Sequence, residues 1–318
     1  MTYNFDPEFA DVVPMLPASD FSDPIASREG IINMMTALHA DLDTSALTLE
    51  DTFIPGLNHA PDVKVRIYQP KNRQSDIPVP ALLYIHGGGF VVGNIDTEHA
   101  GAVAIAAELG VVVISVDYRL APEDPFPAGL DDCYASLQWL HENAEVLGVD
   151  TKRIGIYGQS AGGGLAAGLA LMARDKAGPG ICFQFLGMPE LDDRLETTSM
   201  RDFIDTPLWN RPNAIYSWQY YLGDDYQPGS DDVPVYAAPA RADDLSGLPP
   251  AYVSAMEFDP LRDEDVLYGL RLLQAGVAVE LHTFPGTFHG SSMMSGAAVS
   301  KRQQQELIDV LRRGLRVS

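Results

Sequence analysis

A single serine lies between glycines in the segment GQSAG, residues 158–162. The apolar strand pattern RIGIYG precedes it and a run of small residues follows, which predicts a strand–turn–helix elbow. In such an elbow Ser160 projects from a sharp turn, and the glycines two positions away avoid contact with neighbouring backbone. The following helix would direct the N–H of Ala161 toward a developing oxyanion. Ser160 is therefore a candidate nucleophile, and the alternative is a glycine-rich turn with an incidental serine.

A second glycine-rich segment, HGGGF at residues 86–90, follows the strand pattern ALLYIH. Three consecutive glycines allow backbone N–H groups to point into a cavity, because no Cβ stands in the way. Two such donors together with that of Ala161 would bind the oxygen of a tetrahedral intermediate. We expect His86 to hold this loop by hydrogen bonds.

A nucleophilic serine needs a base, and the base needs a carboxylate that orients it. Apart from His86, the remaining histidines precede the sheet, lie on predicted helix faces or lie within a strand, except His289, which follows the last predicted strand. Asp259 ends the strand pattern AYVSAMEF, and Glu257 within that strand is the second choice. The order Ser160, Asp259, His289 along the chain is that of the α/β hydrolases.

A nucleotide-binding site is the alternative for the same glycines. Gly162, Gly164 and Ala167 resemble part of a dinucleotide fingerprint, but they lie inside the predicted helix, beyond the turn that would hold a phosphate. The sequence contains no phosphate-binding G-x-x-x-x-G-K-[ST] motif. It also lacks a cluster of cysteines and histidines that would suggest a zinc site. Hydrolysis by a serine nucleophile, its base and an orienting carboxylate needs neither a metal nor an organic cofactor.

Strand and helix patterns alternate from residue 63 onward, with an interruption between residues 192 and 242 that is rich in aromatic residues. This alternation predicts an α/β protein with a mostly parallel central sheet flanked by helices. Ligands of such sheets bind at the carboxyl ends of the strands. The predicted strands are 63–70, 81–86, 111–118, 153–158, 181–189, 250–259 and 277–285.

Composition restricts the possible partners. The 318 residues are 46% hydrophobic and 20% charged, which suits a globular chain with a sizeable core. A net charge of −23 disfavours nucleic acid and anionic membranes as partners. There is no apolar run of 18 residues and no secretory signal pattern at the N-terminus. Cys133 and Cys182 read as buried thiols, so we expect a cytoplasmic protein without disulfides.

Five strings occur in order along the chain: HGGGF, DYRLAPE (117–123), GQSAGG, EFDPLRDE (257–264) and FHG (288–290). Together they resemble the hormone-sensitive-lipase-like family of bacterial carboxylesterases, which has the α/β-hydrolase fold. The resemblance implies a serine carboxylesterase that hydrolyses short- to medium-chain esters without a cofactor. It also implies that Ser160, His289 and Asp259 are catalytic, and that the oxyanion hole consists of Gly88, Gly89 and Ala161.

Members of this family carry a helical cap over the sheet. By that resemblance, residues 1–50 form the N-terminal part of the cap and residues 195–240 form the cap insertion. Residues 51–194 and 241–318 then form the catalytic domain. Six residues are candidates for the substrate pocket, although most of the aromatic ones could instead form the core of the cap: Phe90, Gln159, Phe203, Trp209, Tyr216 and Trp218.

Two positions depart from the family pattern. Gln159 stands where Asp often precedes the serine, and Ser291 stands where Phe often follows the His-Gly pair. These departures affect pH dependence and pocket shape, not the reaction. Alternatives to an esterase are a ligand-binding protein on the same fold and an amidase, and a homodimer is a further possibility.

Overall fold

The computed structural model describes residues 3–16, 20–39, 41–73 and 77–317. Within this part of the chain, eight strands form one sheet in the order β1-β2-β4-β3-β5-β6-β7-β8. The first two pairings are antiparallel and the remaining five are parallel. The strands are β1 (Leu47–Ile54), β2 (Val63–Pro70), β3 (Val79–Ile85), β4 (Val112–Asp117), β5 (Val149–Gln159), β6 (Phe183–Gly187), β7 (Ala251–Phe258) and β8 (Val279–Phe288).

Helices cover both faces of this sheet, which confirms the predicted α/β architecture. Side chains of α3, α5 and α8 share one hydrophobic cluster with the sheet, and those of α2 and α9 share another on the opposite face. The α-helices of the described chain are α1 (Pro24–Leu38), α2 (His99–Leu109), α3 (Ala128–Glu142), α4 (Ala144–Leu147), α5 (Ala161–Asp175), α6 (Thr198–Asp202), α7 (Arg211–Leu222), α8 (Arg262–Gln274) and α9 (Ala298–Gly314).

Strands in the middle of the sheet are buried on both faces. Strand β6 is buried at every position, and β3 at all but its first. Their continuous apolar sequences follow from this position, because neither face meets water. These strands therefore hold the loops at their carboxyl ends in fixed positions.

One strand begins in the region that the family resemblance assigned to the cap. Residues 47–50 belong to β1, which pairs with β2 at the edge of the sheet. Most positions of β1 are exposed or half-buried, so its sequence LTLEDTFI carries polar residues and lacks the apolar run of a central strand. The predicted cap boundary at residue 50 thus falls inside a sheet strand.

The N-terminal segment contacts the segment after β6 directly. The rings of Phe21 and Trp209 meet edge to face with centroids 5.3 Å apart. The Tyr220 hydroxyl donates to the carbonyl of Ser22 at 2.9 Å. These contacts join the two segments above the carboxyl ends of the strands. Over the residues placed in the structure, no helix has the length and apolar character needed to cross a membrane.

Candidate active site

Ser160 occupies the turn between β5 and α5 with a φ of 55°. A side chain at this left-handed angle is strained, and such strain persists only where the surroundings enforce it. Two glycines allow the close backbone approaches that this turn requires. A Cβ on Gly158 would lie 2.0 Å from the carbonyl oxygen of Gly162, and one on Gly162 would lie 2.3 Å from that of Ile85. The glycines predicted to avoid contact with the backbone are therefore required at both positions.

The structure brings His289 and Asp259 to this serine. The Nε2 atom of His289 lies 3.0 Å from Ser160 Oγ, and its Nδ1 atom lies 2.7 Å from Asp259 Oδ2. Because an ionised carboxylate only accepts hydrogen bonds, Nδ1 carries the proton and Nε2 is free to accept from the serine hydroxyl. Asp259 is fully buried, and its second oxygen accepts the N–H of Leu261 at 3.0 Å. The three groups thus form a continuous hydrogen-bonded series.

Strand ends explain why these residues meet. Strand β7 ends at Phe258 and β8 at Phe288, so Asp259 and His289 each occupy the first position after a strand. Since β5, β6, β7 and β8 are parallel neighbours, their carboxyl ends lie at one edge of the sheet. This arrangement is the one that the sequence pattern predicted.

The other acidic candidates near Asp259 bind backbone groups elsewhere. Glu257 accepts the N–H of Gly286 at 2.6 Å, and Asp263 accepts that of Ser199 at 2.8 Å. The Glu264 carboxylate accepts from the Leu191 N–H at 2.7 Å. These carboxylates therefore position loops around the site, and Asp259 is the one that contacts the imidazole of His289.

The glycines of the HGGGF loop adopt conformations that other residues avoid. The φ angles of Gly88 and Gly89 are 122° and 56°. A Cβ on Gly88 would lie 2.1 Å from the carbonyl oxygen of Val92, and one on Gly89 would lie 3.0 Å from the Trp209 ring. Both glycines are therefore needed for the loop to take this path beside Ser160.

Hydrogen bonds hold the carbonyl groups of this loop and leave two N–H groups unused. No group in the described chain accepts from the N–H of Gly88 or Gly89. Both glycines border the cavity that also contains Ser160. The donors to the successive carbonyls of residues 86–89 are Tyr118 Oη, His86 Nδ1, the N–H groups of Val91 and Val92, and Ser217 Oγ.

His86 has the structural role that the sequence predicted. It is fully buried, stacks on Tyr118 with centroids 4.1 Å apart, and bonds the carbonyl of Gly87 at 2.8 Å. Burial lowers the pKa of His86 to about 4. The ring is therefore neutral near pH 7 and can donate one hydrogen bond to the loop.

Ala161 is the first residue of α5, so its N–H has no partner within the helix. The residue is buried directly after Ser160. The partial positive charge at the start of the 15-residue helix adds to the attraction that this N–H offers an anion. Three backbone donors thus come from two segments that flank the serine.

A cavity of about 550 Å³ opens onto Ser160 and His289. This volume lies within the range of small-molecule sites, about 300–1,000 Å³. Its wall is mainly apolar, with one side formed by α1 and the residues before it. The apolar side chains that line it are Phe21, Ile31, Met34, Met35, Val92, Met188, Leu208, Trp209 and Met293.

Two of the six predicted pocket residues, Gln159 and Trp209, line this cavity. Phe90, Phe203, Tyr216 and Trp218 do not line this cavity, and each packs against other aromatic or core side chains. The contacts are Phe90 stacked on Tyr221, Phe203 against Phe258, Tyr216 stacked on Tyr220, and Trp218 fully buried beside Phe90.

Sequence reasoning missed the part of the cavity wall that α1 provides. Ile31, Met34 and Met35 recur at helical spacing, which is a signal for an apolar helix face. That spacing predicts a helix but not what the face covers, because the contact with the cavity is tertiary. Across the described residues, no group of three or more histidine, cysteine or acidic side chains could hold a metal ion.

The chain is similar in sequence to proteins of known activity. A family model described as the α/β hydrolase fold matches residues 82–293. The chain is 42% identical over 242 residues to carboxylesterase NlhH of Mycobacterium tuberculosis, covering 74% of this chain and 73% of the relative. It is 34% identical over 258 residues to an arylesterase of Saccharolobus solfataricus, covering 79% of this chain and 78% of the relative.

Solved structures extend the similarity over nearly the whole chain. The fold is similar to that of a bacterial heroin esterase with a TM-score of 0.96 and 54% identity, covering 98% of each chain. An esterase of Pyrobaculum calidifontis matches with a TM-score of 0.87 and 31% identity, covering 99% of this chain and 100% of the other.

Proposed function

The chain belongs to the α/β hydrolase fold family, in the group related to hormone-sensitive lipase, and is a carboxylesterase. We propose that Ser160, His289 and Asp259 catalyse its reaction. The observation that supports these roles is the hydrogen-bonded series from Ser160 Oγ through the imidazole to the Asp259 carboxylate. This series has the geometry of a nucleophile, its base and the group that orients the base.

Acylation begins when Ser160 attacks the ester carbonyl carbon. His289 Nε2 accepts the serine proton as the bond forms, and Asp259 stabilises the resulting imidazolium. The imidazolium then gives this proton to the leaving alkoxide, so the alcohol departs and an acyl-enzyme remains. A water molecule, deprotonated by His289, hydrolyses the acyl-enzyme by the same steps and releases the acid.

The negative charge that develops on the carbonyl oxygen must be stabilised by hydrogen-bond donors. We assign this role to the N–H groups of Gly88, Gly89 and Ala161, because the loop and the start of α5 flank Ser160. One such donor in a serine hydrolase contributes about 3–4 kcal/mol to the transition state. The donors act here through backbone atoms whose positions the glycine conformations and the carbonyl contacts fix.

The substrates that we propose are apolar esters with short- to medium-length acyl chains. A cavity of about 550 Å³ accommodates such molecules, and its wall offers few polar groups for more hydrophilic ones. Two relatives are named a heroin esterase and an arylesterase. Phe21 and Trp209 at the cavity would provide an apolar contact for an aromatic alcohol portion.

We also propose that residues 195–240 and the described residues before β1 form one helical cap. The contact of Phe21 with Trp209 supports this proposal. A cytoplasmic location is supported by the free thiols of Cys133 and Cys182.

The function is tested with p-nitrophenyl esters graded from acetate to dodecanoate. We expect kcat/KM to peak at short or medium chains, and Ser160→Ala to abolish turnover and labelling by a fluorophosphonate. Activity retained by Ser160→Ala would refute the assignment of the nucleophile. Labelling without ester turnover, together with cleavage of the matching anilides, would favour the amidase.

A further inference from the structure

Glu98 stands at the N-cap position of α2, yet its side chain does not bond its own helix. It extends instead to strand β3 and the loop that follows. Its Oε1 atom accepts the N–H of Gly87 at 2.6 Å, and its Oε2 atom accepts the hydroxyl of Tyr84 at 2.8 Å. Both carboxyl oxygens are therefore engaged at the start of the HGGGF loop, residues 86–90, which is the proposed oxyanion loop.

This carboxyl group also borders the nucleophile. Glu98 lines the cavity together with Gly87 and Ser160. A Cβ built on Gly87 would lie 3.2 Å from Glu98 Oε1 and 3.6 Å from Ser160 Cβ. The carboxylate thus stands at the junction between the HGGGF loop and the serine turn, without touching the imidazole of His289.

A series of contacts continues from Glu98 to the residue before the serine. Tyr84 and Tyr157 are partners in the register of β3 and β5, and their rings contact each other with centroids 4.4 Å apart. The Tyr157 hydroxyl accepts from the side-chain amide of Gln159. The series therefore begins at Gly87, next to the proposed donor Gly88, and ends at Gln159, next to Ser160.

We propose that Glu98 is a positioning residue for ester hydrolysis, holding the oxyanion loop in register with the nucleophile turn through Gly87, Tyr84, Tyr157 and Gln159. The inference rests on the proposed function of the same site. A run of glycines can adopt many backbone conformations, and most of them would point the following N–H groups away from the oxyanion. The hydrogen bond from Gly87 to Glu98 restricts this conformational freedom. Donors that need no reorganisation stabilise the transition state most.

The series also accounts for Gln159, where the family pattern often has Asp. An amide donates to the Tyr157 hydroxyl and leaves the single carboxylate of Glu98 on the loop side. A carboxylate at 159 could not donate in this way and would add a second negative charge to the cavity wall beside Glu98.

The test compares Glu98→Ala, Glu98→Gln and the control Glu108→Ala, which alters an exposed residue of the same helix. Readouts are kcat and KM for p-nitrophenyl acetate, the rate of fluorophosphonate labelling and the thermal midpoint. We expect Glu98→Ala to lower kcat and the labelling rate about 30-fold with KM little changed. Glu98→Gln keeps an oxygen acceptor for Gly87 and should stay within about threefold of the parent.

Three results overturn the inference. They are a Glu98→Ala variant with the parent's kcat, a loss confined to KM, and a Glu98→Gln variant as impaired as Glu98→Ala. If Glu98→Ala does not fold, Glu98→Asp decides instead, because it shortens the reach to Gly87 and should show the same loss of kcat. A parent enzyme without esterase activity would refute the proposed function, whereas an active parent with an unaffected Glu98→Ala refutes only this inference.

Tyr84→Phe tests the connection to β3. It removes the hydroxyl that donates to Glu98, so we expect a fall in kcat of about threefold. Because Tyr84 acts through Glu98, the double variant should be no slower than Glu98→Ala alone. Losses that multiply would show that Tyr84 acts independently and would overturn this part of the inference.

Discussion

The imidazole of His289 lies 3.0 Å from the hydroxyl oxygen of Ser160, although 129 positions separate the two residues in the chain. The contact exists because each residue directly follows a parallel strand of the same sheet, β8 for the histidine and β5 for the serine. Its geometry therefore depends on the sheet more than on the loops.

Asp259→Asn tests the carboxylate that contacts Nδ1 of His289. An amide can donate to Nδ1, which favours the tautomer whose Nε2 is protonated and cannot accept the serine proton. We expect kcat to fall by about 10³–10⁴-fold with little change in fold, measured with p-nitrophenyl acetate. The control is Glu257→Gln, since Glu257 was the second choice for the acid. A larger loss in Glu257→Gln than in Asp259→Asn would reverse the assignment.

Gly162→Ala tests the close packing of the serine turn. The added Cβ would lie 2.3 Å from the carbonyl oxygen of Ile85, so the backbone must shift. We expect a loss of about 3 kcal/mol or more in the free energy of unfolding, measured by urea titration. Gly180→Ala is the control, because a Cβ there meets no atom within 4 Å. Equal stability of the two variants would contradict the packing argument.

Residues at strand ends were predictable, while the cavity wall was not. The serine, the histidine and the aspartate sit in local patterns, a strand followed by a turn, that the sequence shows directly. Trp209 and Trp218 look alike in the sequence, since both lie in the aromatic segment after β6. Only tertiary packing separates them: Trp209 borders the cavity, while Trp218 is buried against Phe90.

The two tryptophans give a matched prediction. Trp209→Leu enlarges the cavity beside His289, so we expect the enzyme to prefer bulkier esters. The measurement is the ratio of kcat/KM for p-nitrophenyl hexanoate to kcat/KM for p-nitrophenyl acetate. Trp218→Leu removes a fully buried side chain from α7 and should cost about 3 kcal/mol of stability, leaving this ratio unchanged. The proposed cavity wall is wrong if Trp218→Leu changes the ratio and Trp209→Leu does not.

Ser217→Ala tests how α7 holds the proposed oxyanion loop. The Ser217 hydroxyl donates to the carbonyl of Gly89 at 3.0 Å, and its loss leaves that buried acceptor unpaired. We expect kcat to fall about fivefold while KM stays nearly constant. Ser136→Ala, which removes a buried hydroxyl within α3, is the control for a general loss of stability. A loss of kcat as large in Ser136→Ala would remove the reason to assign a specific role to Ser217.

Glu190→Gln tests a pH dependence of stability. Burial raises the pKa of Glu190 to about 8, so the folded protein keeps this proton at pH values where the unfolded chain, with a carboxyl pKa near the usual 4.5, has released it. Stability therefore falls by about 1.4 kcal/mol per pH unit between these two pKa values. Glutamine mimics the protonated acid without titrating. In urea titrations the variant should match the parent near pH 4.5 and exceed it increasingly toward pH 8, and a difference that does not change with pH would show that Glu190 is ionised in the fold.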